Sequence, residues 1–241
     1  MTGTAGLRGA MGGLVAFAAE EEAILLAAAA PGAVAGDGPD RWAAPAAIAH
    51  NTEFKHQQVR RLQAVLSGTS PPAFGDIDHA SAQVYQRYAG QPADAVAAAS
   101  RRVTDELIGA LPAIPDEDLT DPRRHSWLGG RQLWLQIIVR GFWHPTGHVG
   151  EYYLAHGQPE RSIALHSRAV ETAGRLGAPA PARGMACYGL ACAQARSGRA
   201  DDAVAAIRQA ISLNPELLAS AGRDPDLAAL REAGRLSALL S

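Results

Sequence analysis

Apolar residues recur through most of this 241-residue chain at spacings of three and four, the period of helices packed on one face. No stretch alternates apolar and polar in the manner of a half-buried strand. Helical text runs over about 14–30 and stops at Pro31-Gly32, where the turn GAVAGDGPD follows. A second helix is predicted over about 45–66. At about 100° per residue it places Ile48, Phe54, Val59, Leu62, Val65 and Leu66 on one face, and SGTSPP ends it. DIDHASAQVYQRYAG (76–90) reads as a short, weaker helix. Longer ones are expected over about 92–111, closed by PAIPDED, and over about 130–155. Gly3, Gly6, Gly9, Gly12 and Gly13 mark residues 1–13 as a flexible N-terminal arm. Long apolar helices joined by turns imply an all-α chain in which residues 14–157 form an up-and-down four-helix bundle.

The last third has a different texture. HGQPERSIALHSRAV (156–170) aligns with SGRADDAVAAIRQAI (197–211), an internal repeat offset by 41 positions that pairs Gly157 with Gly198 and Ala169 with Ala210. The second copy, GMACYGLACAQARSGRADDAVAAIRQAISLNP (184–215), resembles a tetratricopeptide repeat. Leu190-Ala191, Gly198, Ala203, Ile207, Ala210 and Pro215 stand where that motif has its small and packing residues, while Gln194 replaces the usual aromatic. The resemblance implies helical hairpins over 158–241. The helix bearing His144 then leads the degenerate first copy, so bundle and repeat share it.

Composition sharpens the class. The chain is 47% hydrophobic with only 5% aromatic residues, and alanine carries much of that content. Alanine has the best helix propensity and adds little to a strand. A formal charge of −2 gives no bias toward nucleic acid. Arginine greatly outnumbers lysine, which fits the codon bias of a GC-rich bacterial genome. Glu20, Glu21 and Glu22 interrupt the apolar run LVAFAAEEEAILLAAAA, which excludes a spanning helix or signal-peptide core there and makes a cytoplasmic location the expectation. Cys187 and Cys192 have neither redox nor zinc spacing.

Chemistry is sparse outside GFWHPTGHVGEYYLAHG (141–157). His144 and His148 stand four apart, on one helix face one turn from each other, which suits two neighbouring metal positions. A third ligand is needed. The second helix offers His50 and His56, and periodicity does not separate them, since each lies just past one edge of the apolar face. Pro145 removes a helical hydrogen bond to Gly141 and disfavours helical geometry at His144, so either a kink or a new helix is expected there. His56, His79, His125, His156 and His166 read as surface or turn residues. Arg60, Arg61 and Arg140 read as a solvated face, and Trp134, Trp143, Tyr152 and Tyr153 as core.

A histidine early in the second helix, entered through DRWAAPAAIAHNTEF, then a long third helix and H-x-x-x-H in the fourth, resembles the DinB superfamily of four-helix bundles. That superfamily includes mycothiol- and bacillithiol-dependent transferases and mycothiol-dependent isomerases. The likeness covers about 14–157. It departs from the family at Pro145 inside H-x-x-x-H and at Glu151, where glutamine often follows. It implies that His50, His144 and His148 hold one divalent metal, such as Zn, Ni, Fe or Mn, with positions left for water or substrate. It also implies a low-molecular-weight thiol such as mycothiol, or water, as the attacking group on a small electrophilic substrate. Glu151, one turn beyond His148, is the candidate catalytic residue, as base or as orienter of a ligand. The competing expectation is a non-catalytic scaffold whose C-terminal hairpins bind a protein partner or a second copy of the chain.

Overall fold

The computed structural model describes residues 3–28, 43–72 and 91–240. The chain is all-α: no strand occurs among the described residues. Among them no helix is long and apolar enough to cross a membrane. The chain divides into two compact units, Met1–Tyr152 and Tyr153–Ser241. The division falls inside the helix that carries His144 and His148, upstream of the 157/158 boundary read from the sequence.

In the first unit α1 spans Thr4–Ala28, α2 Ala44–Ser67, α3 Ala93–Ala110 and the short α4 Asp116–Thr120. Then α5 (Leu133–Ile138), a π-helical segment (Val139–Trp143) and α6 (His144–Ala155) run on as one helical stretch. Helix α1 packs on α2, α3, α5 and the π segment, and α2 packs on α3 and the π segment. The core between them is built from Met11, Leu14, Val15, Ile48, Phe54, Leu62, Leu107, Ile137 and Phe142, each at most 1% exposed. Helix α2 stops as its sequence dictates: Gly68 takes φ +67° and its N–H bonds to Val65 O, while Thr69 N–H bonds to Ala64 O. The sequence-predicted helix over 76–90 and the turn after α1 lie outside the described residues.

The N-terminal arm is a correction. Residues from Thr4 onward are helix, with Leu7, Ala10 and Met11 buried. Each helical glycine costs up to about 1 kcal/mol relative to alanine, but burying a side chain such as Leu7 or Met11 returns about 1.5–3 kcal/mol. A Cβ on Gly12 would make ordinary van der Waals contact with Ile108 and Leu111, which places this turn of the helix against the end of α3. Arg8 donates to the carbonyls of Leu111 and Ile114, and Thr4 to Asp116, which ties the first turns to the α3–α4 connection.

The second unit is a run of helices: α7 (Pro159–Arg175), α8 (Ala180–Arg196), α9 (Ala200–Leu213), then the short α10 (Leu217–Ala221), α11 (Ala228–Glu232) and α12 (Ser237–Leu240). Helix α8 packs along both α7 and α9, and the brief connections 176–179 and 197–199 make these neighbours antiparallel. The two copies of the sequence repeat start α7 and α9, each just after a left-handed glycine, Gly157 (φ +68°) and Gly198 (φ +76°). Glycine also sets the helix spacing. A Cβ on Gly184 would sit 2.8 Å from Asn214 Cβ and 2.9 Å from the Ala210 carbonyl, and one on Gly189 would sit 2.8 Å from the His166 ring.

Candidate metal centre

The π segment decides where the two histidines of α6 point. Pro145 has no N–H to offer the Gly141 carbonyl, so the i→i−4 ladder cannot pass through it. The sequence alternatives were a kink or a fresh helix; the structure runs through a π segment, Val139–Trp143, into an α-helix that starts at His144. The ladder widens by one residue, and His144 N–H bonds to Val139 O, five positions back. His144 keeps helical angles (φ −61°, ψ −49°) despite the following proline. Such single π turns recur at functional sites because the extra residue re-aims the side chains beyond it. Gly141 lies inside the turn, where a Cβ would meet Val15 Cγ2 at 2.6 Å, so this bend fits against α1 only with glycine.

Helix α2 supplies the facing residue. His50 is 3% exposed and its Nε2 lies 3.1 Å from His144 Nε2. The His50 and His148 ring centroids are 4.7 Å apart, and those of His144 and His148 4.4 Å. Each of the three rings offers a nitrogen within 4.8 Å of the other two. Two imidazole nitrogens on one ion at about 2.1 Å stand about 3.0 Å apart at a right angle and about 3.4 Å apart at the tetrahedral angle. The His50–His144 separation falls between these values. His56, the other candidate from the sequence, is half-buried and outside the group.

The local electrostatics keep the His50 and His144 rings neutral. Burial, then the neighbouring His148 and Arg140, push the His50 pKa down to about 3. Burial, His148, His50 and Arg140 hold His144 well below its ordinary 6.5. Neutral imidazole is the metal-binding form. Phe54 forms a wall: its centroid is 4.6 Å from both the His50 and His144 rings, and the Arg140 guanidinium lies over it at 4.8 Å. Glu151 lies on α6 beyond His148, half-buried, and its carboxylate is not part of the three-nitrogen group.

The readings of Arg61 as solvated and of His166 as a surface or turn residue are corrected. Arg61 is 6% exposed, its guanidinium stacked 4.8 Å over the Trp127 ring, and so is no solvated residue. His166 is buried between helices, where burial lowers its pKa to about 4. His125 points its Nε2 at the Asp118 carbonyl at 3.1 Å and is half-buried; His156 is exposed; His79 lies outside the described residues. Trp134 and Tyr153 are core, as their type suggested, whereas Trp143 and Tyr152 are only half-buried.

Sequence reasoning missed a buried polar group in the first unit. Lys55, the chain's single lysine, is fully buried. Its Nζ donates to Glu22 Oε2 at 2.6 Å and to Ser100 and Thr104 hydroxyls at 3.2 Å, while Ser100 Oγ donates to Glu22 Oε2 at 2.8 Å. The only hint in the sequence was a lone lysine on a helix whose other cations are arginine; nothing local pointed to Glu22. In the second unit Cys192, Asp224 and Asp226 also bring ligand atoms within 4.8 Å of each other. There Asp224 accepts from Tyr188 OH at 2.8 Å and caps the turn through Asp226 N–H at 3.0 Å. Burial and the two aspartates hold the Cys192 thiol protonated, which fits a structural latch on the 224–227 turn.

Comparison with family models, curated proteins and solved structures finds no match to the chain.

Proposed function

We propose that the chain is a metal-dependent enzyme of the DinB type, in which His50, His144 and His148 hold one divalent ion and a small electrophile is attacked by a thiol or by water. The observation that carries this reading is the convergence of three histidine rings from two helices, with two Nε2 atoms 3.1 Å apart. His148 presents itself edge-on to both other rings, at 76° to His50 and 83° to His144, which brings all three to one point. An ion bound there supplies Lewis acidity, lowering the pKa of the water or thiol that takes its open positions.

The chain's own residues do the rest. The Phe54 ring shields one side of the cluster from water, and the Arg140 guanidinium above it maintains positive potential beside the rings. Three neutral ligands leave the charge of a divalent ion uncompensated, so an anionic nucleophile or substrate is favoured. Glu151 on α6 is the base or ligand-orienting group of this proposal. Neither cysteine is near the proposed ligands in sequence, so an external nucleophile, water or a low-molecular-weight thiol, fits this reading better than a protein one.

The test is metal-dependent turnover. Zinc-, nickel-, iron- or manganese-loaded protein is incubated with mycothiol and a panel of small electrophiles, or with the electrophiles alone. Loss of electrophile that stops on chelation and in His148→Ala supports the proposal. Turnover indifferent to both contradicts it.

A further inference from the structure

A cavity of about 510 Å³ in the first unit is bordered by Arg140, within the range that accommodates small-molecule ligands. Its walls are of two kinds. Arg61, Arg131, Arg140 and Gln136 are its polar lining residues, while Trp127 and Pro72 supply apolar surface. No aspartate or glutamate is among its described lining residues.

This arrangement is assembled at a cost. Arg61 comes from α2, Gln136 from α5, Arg140 from the π segment and Arg131 from the turn before α5, so four separate positions of the chain converge. Arg61 is buried, held by the Trp127 ring at 4.8 Å and by a bond from its Nη2 to the Pro72 carbonyl at 3.4 Å. Burial, and then the charge of Arg140, pull its pKa down to about 10, so the two guanidinium groups repel across the cavity. Rigid, partly desolvated guanidinium forks are the geometry that takes a planar oxyanion bidentately.

From these observations we infer that the cavity binds a small organic anion, a carboxylate joined to an apolar body. The guanidinium groups take the carboxylate, and Trp127 and Pro72 take the body, for which an inorganic oxyanion has no use. Arg140 borders both this cavity and, through Phe54, the His50 and His144 rings, so the bound anion lies beside the histidine cluster. In the role of substrate pocket this inference rests on the metal-enzyme reading; the binding itself does not require the ion.

The experiment is calorimetric titration of the full chain with 1-naphthoate, 1-naphthamide and inorganic phosphate, on zinc-loaded and on EDTA-treated protein. The expected result is naphthoate binding at least about tenfold tighter than the neutral amide, and tighter than phosphate. Arg131→Gln, at an exposed position that leaves the fold intact, should weaken naphthoate several-fold, and Arg61→Gln with Arg131→Gln should bring it to the level of the amide. Equal affinity for acid and amide, absence of binding, preference for phosphate, or indifference to both variants overturns the inference. A chain that takes up no zinc yet prefers naphthoate through its arginines refutes the metal reading and leaves the anion pocket standing. Zinc uptake without that preference does the reverse.

Discussion

Replacing Lys55 by methionine removes the one cation that faces Glu22 in the core of the first unit. Both side chains are buried, at 0% and 1% exposure, and Nζ lies 2.6 Å from the carboxylate. The three donors of the ammonium are all used, on Glu22, Ser100 and Thr104. After the substitution the carboxylate keeps only the Ser100 hydroxyl among these partners. Breaking a buried pair from one side costs about 3–5 kcal/mol, because the remaining charge is left in a low-dielectric interior. Glu22→Leu alone should cost a similar amount. The double variant, with no charge left to bury, should recover most of the loss, since an apolar pair of like volume is often neutral or better. Urea unfolding followed by tryptophan fluorescence suits the measurement: Trp42, Trp127, Trp134 and Trp143 all precede Tyr153, so the signal reports the first unit. Singles that each cost under about 1 kcal/mol, or a double equal to their sum, would show that the pair is not desolvated as described. The pair matters to the site because Lys55 and His50 share α2. A helix that shifts to rehydrate Glu22 moves His50, so zinc affinity should fall in each single variant and return in the double.

Three further outcomes follow from particular contacts. Pro145→Ala supplies the N–H that Gly141 lacks, so the π turn should relax to α-helix and turn His144 and His148 away from His50 by about 100°; zinc affinity should drop more than tenfold while the melting temperature rises, and unchanged affinity would contradict the role given to the turn. Gly141→Ala puts a Cβ 2.6 Å from the stiff, buried Val15 side chain, and should lower stability by about 1–3 kcal/mol in the same unfolding assay. His166 has its pKa lowered from 6.5 to about 4, so the unfolded chain binds a proton in that interval that the folded chain does not. Its contribution is therefore complete above pH 6.5 and lost as pH falls toward 4, by up to about 3 kcal/mol; His166→Gln should flatten that slope in circular-dichroism unfolding of the second unit, and an unaltered slope would assign the acid sensitivity elsewhere.

What the sequence disclosed was what local periodicity encodes. The ends of α2 and α3 were legible to within a residue or two because Pro45, Gly68, Pro92 and Pro112 act through the backbone alone. The 41-residue offset was legible because both copies begin at a glycine needing positive φ. Residues 4–13 were misread because four glycines outweigh a few apolar residues locally, and only packing against α3 reverses the balance. The choice of His50 over His56 could not be made from periodicity, since both lie at an edge of the apolar face; what separates them is which edge meets the π segment. The Lys55–Glu22 pair joins residues 33 apart and has no local signature. The arginine cavity draws on four positions of the chain and was invisible for the same reason.

The central claim is that His50, His144 and His148 hold one ion. Protein purified without a histidine tag, loaded with zinc and dialysed, should carry one equivalent by mass spectrometry, and its X-ray absorption should show three imidazole nitrogens at about 2.0–2.2 Å. His148→Ala should carry none while its helix content stays nearly unchanged. Wild-type protein without stoichiometric metal, or His148→Ala retaining it, would contradict the account and leave three packed histidines on a helical scaffold.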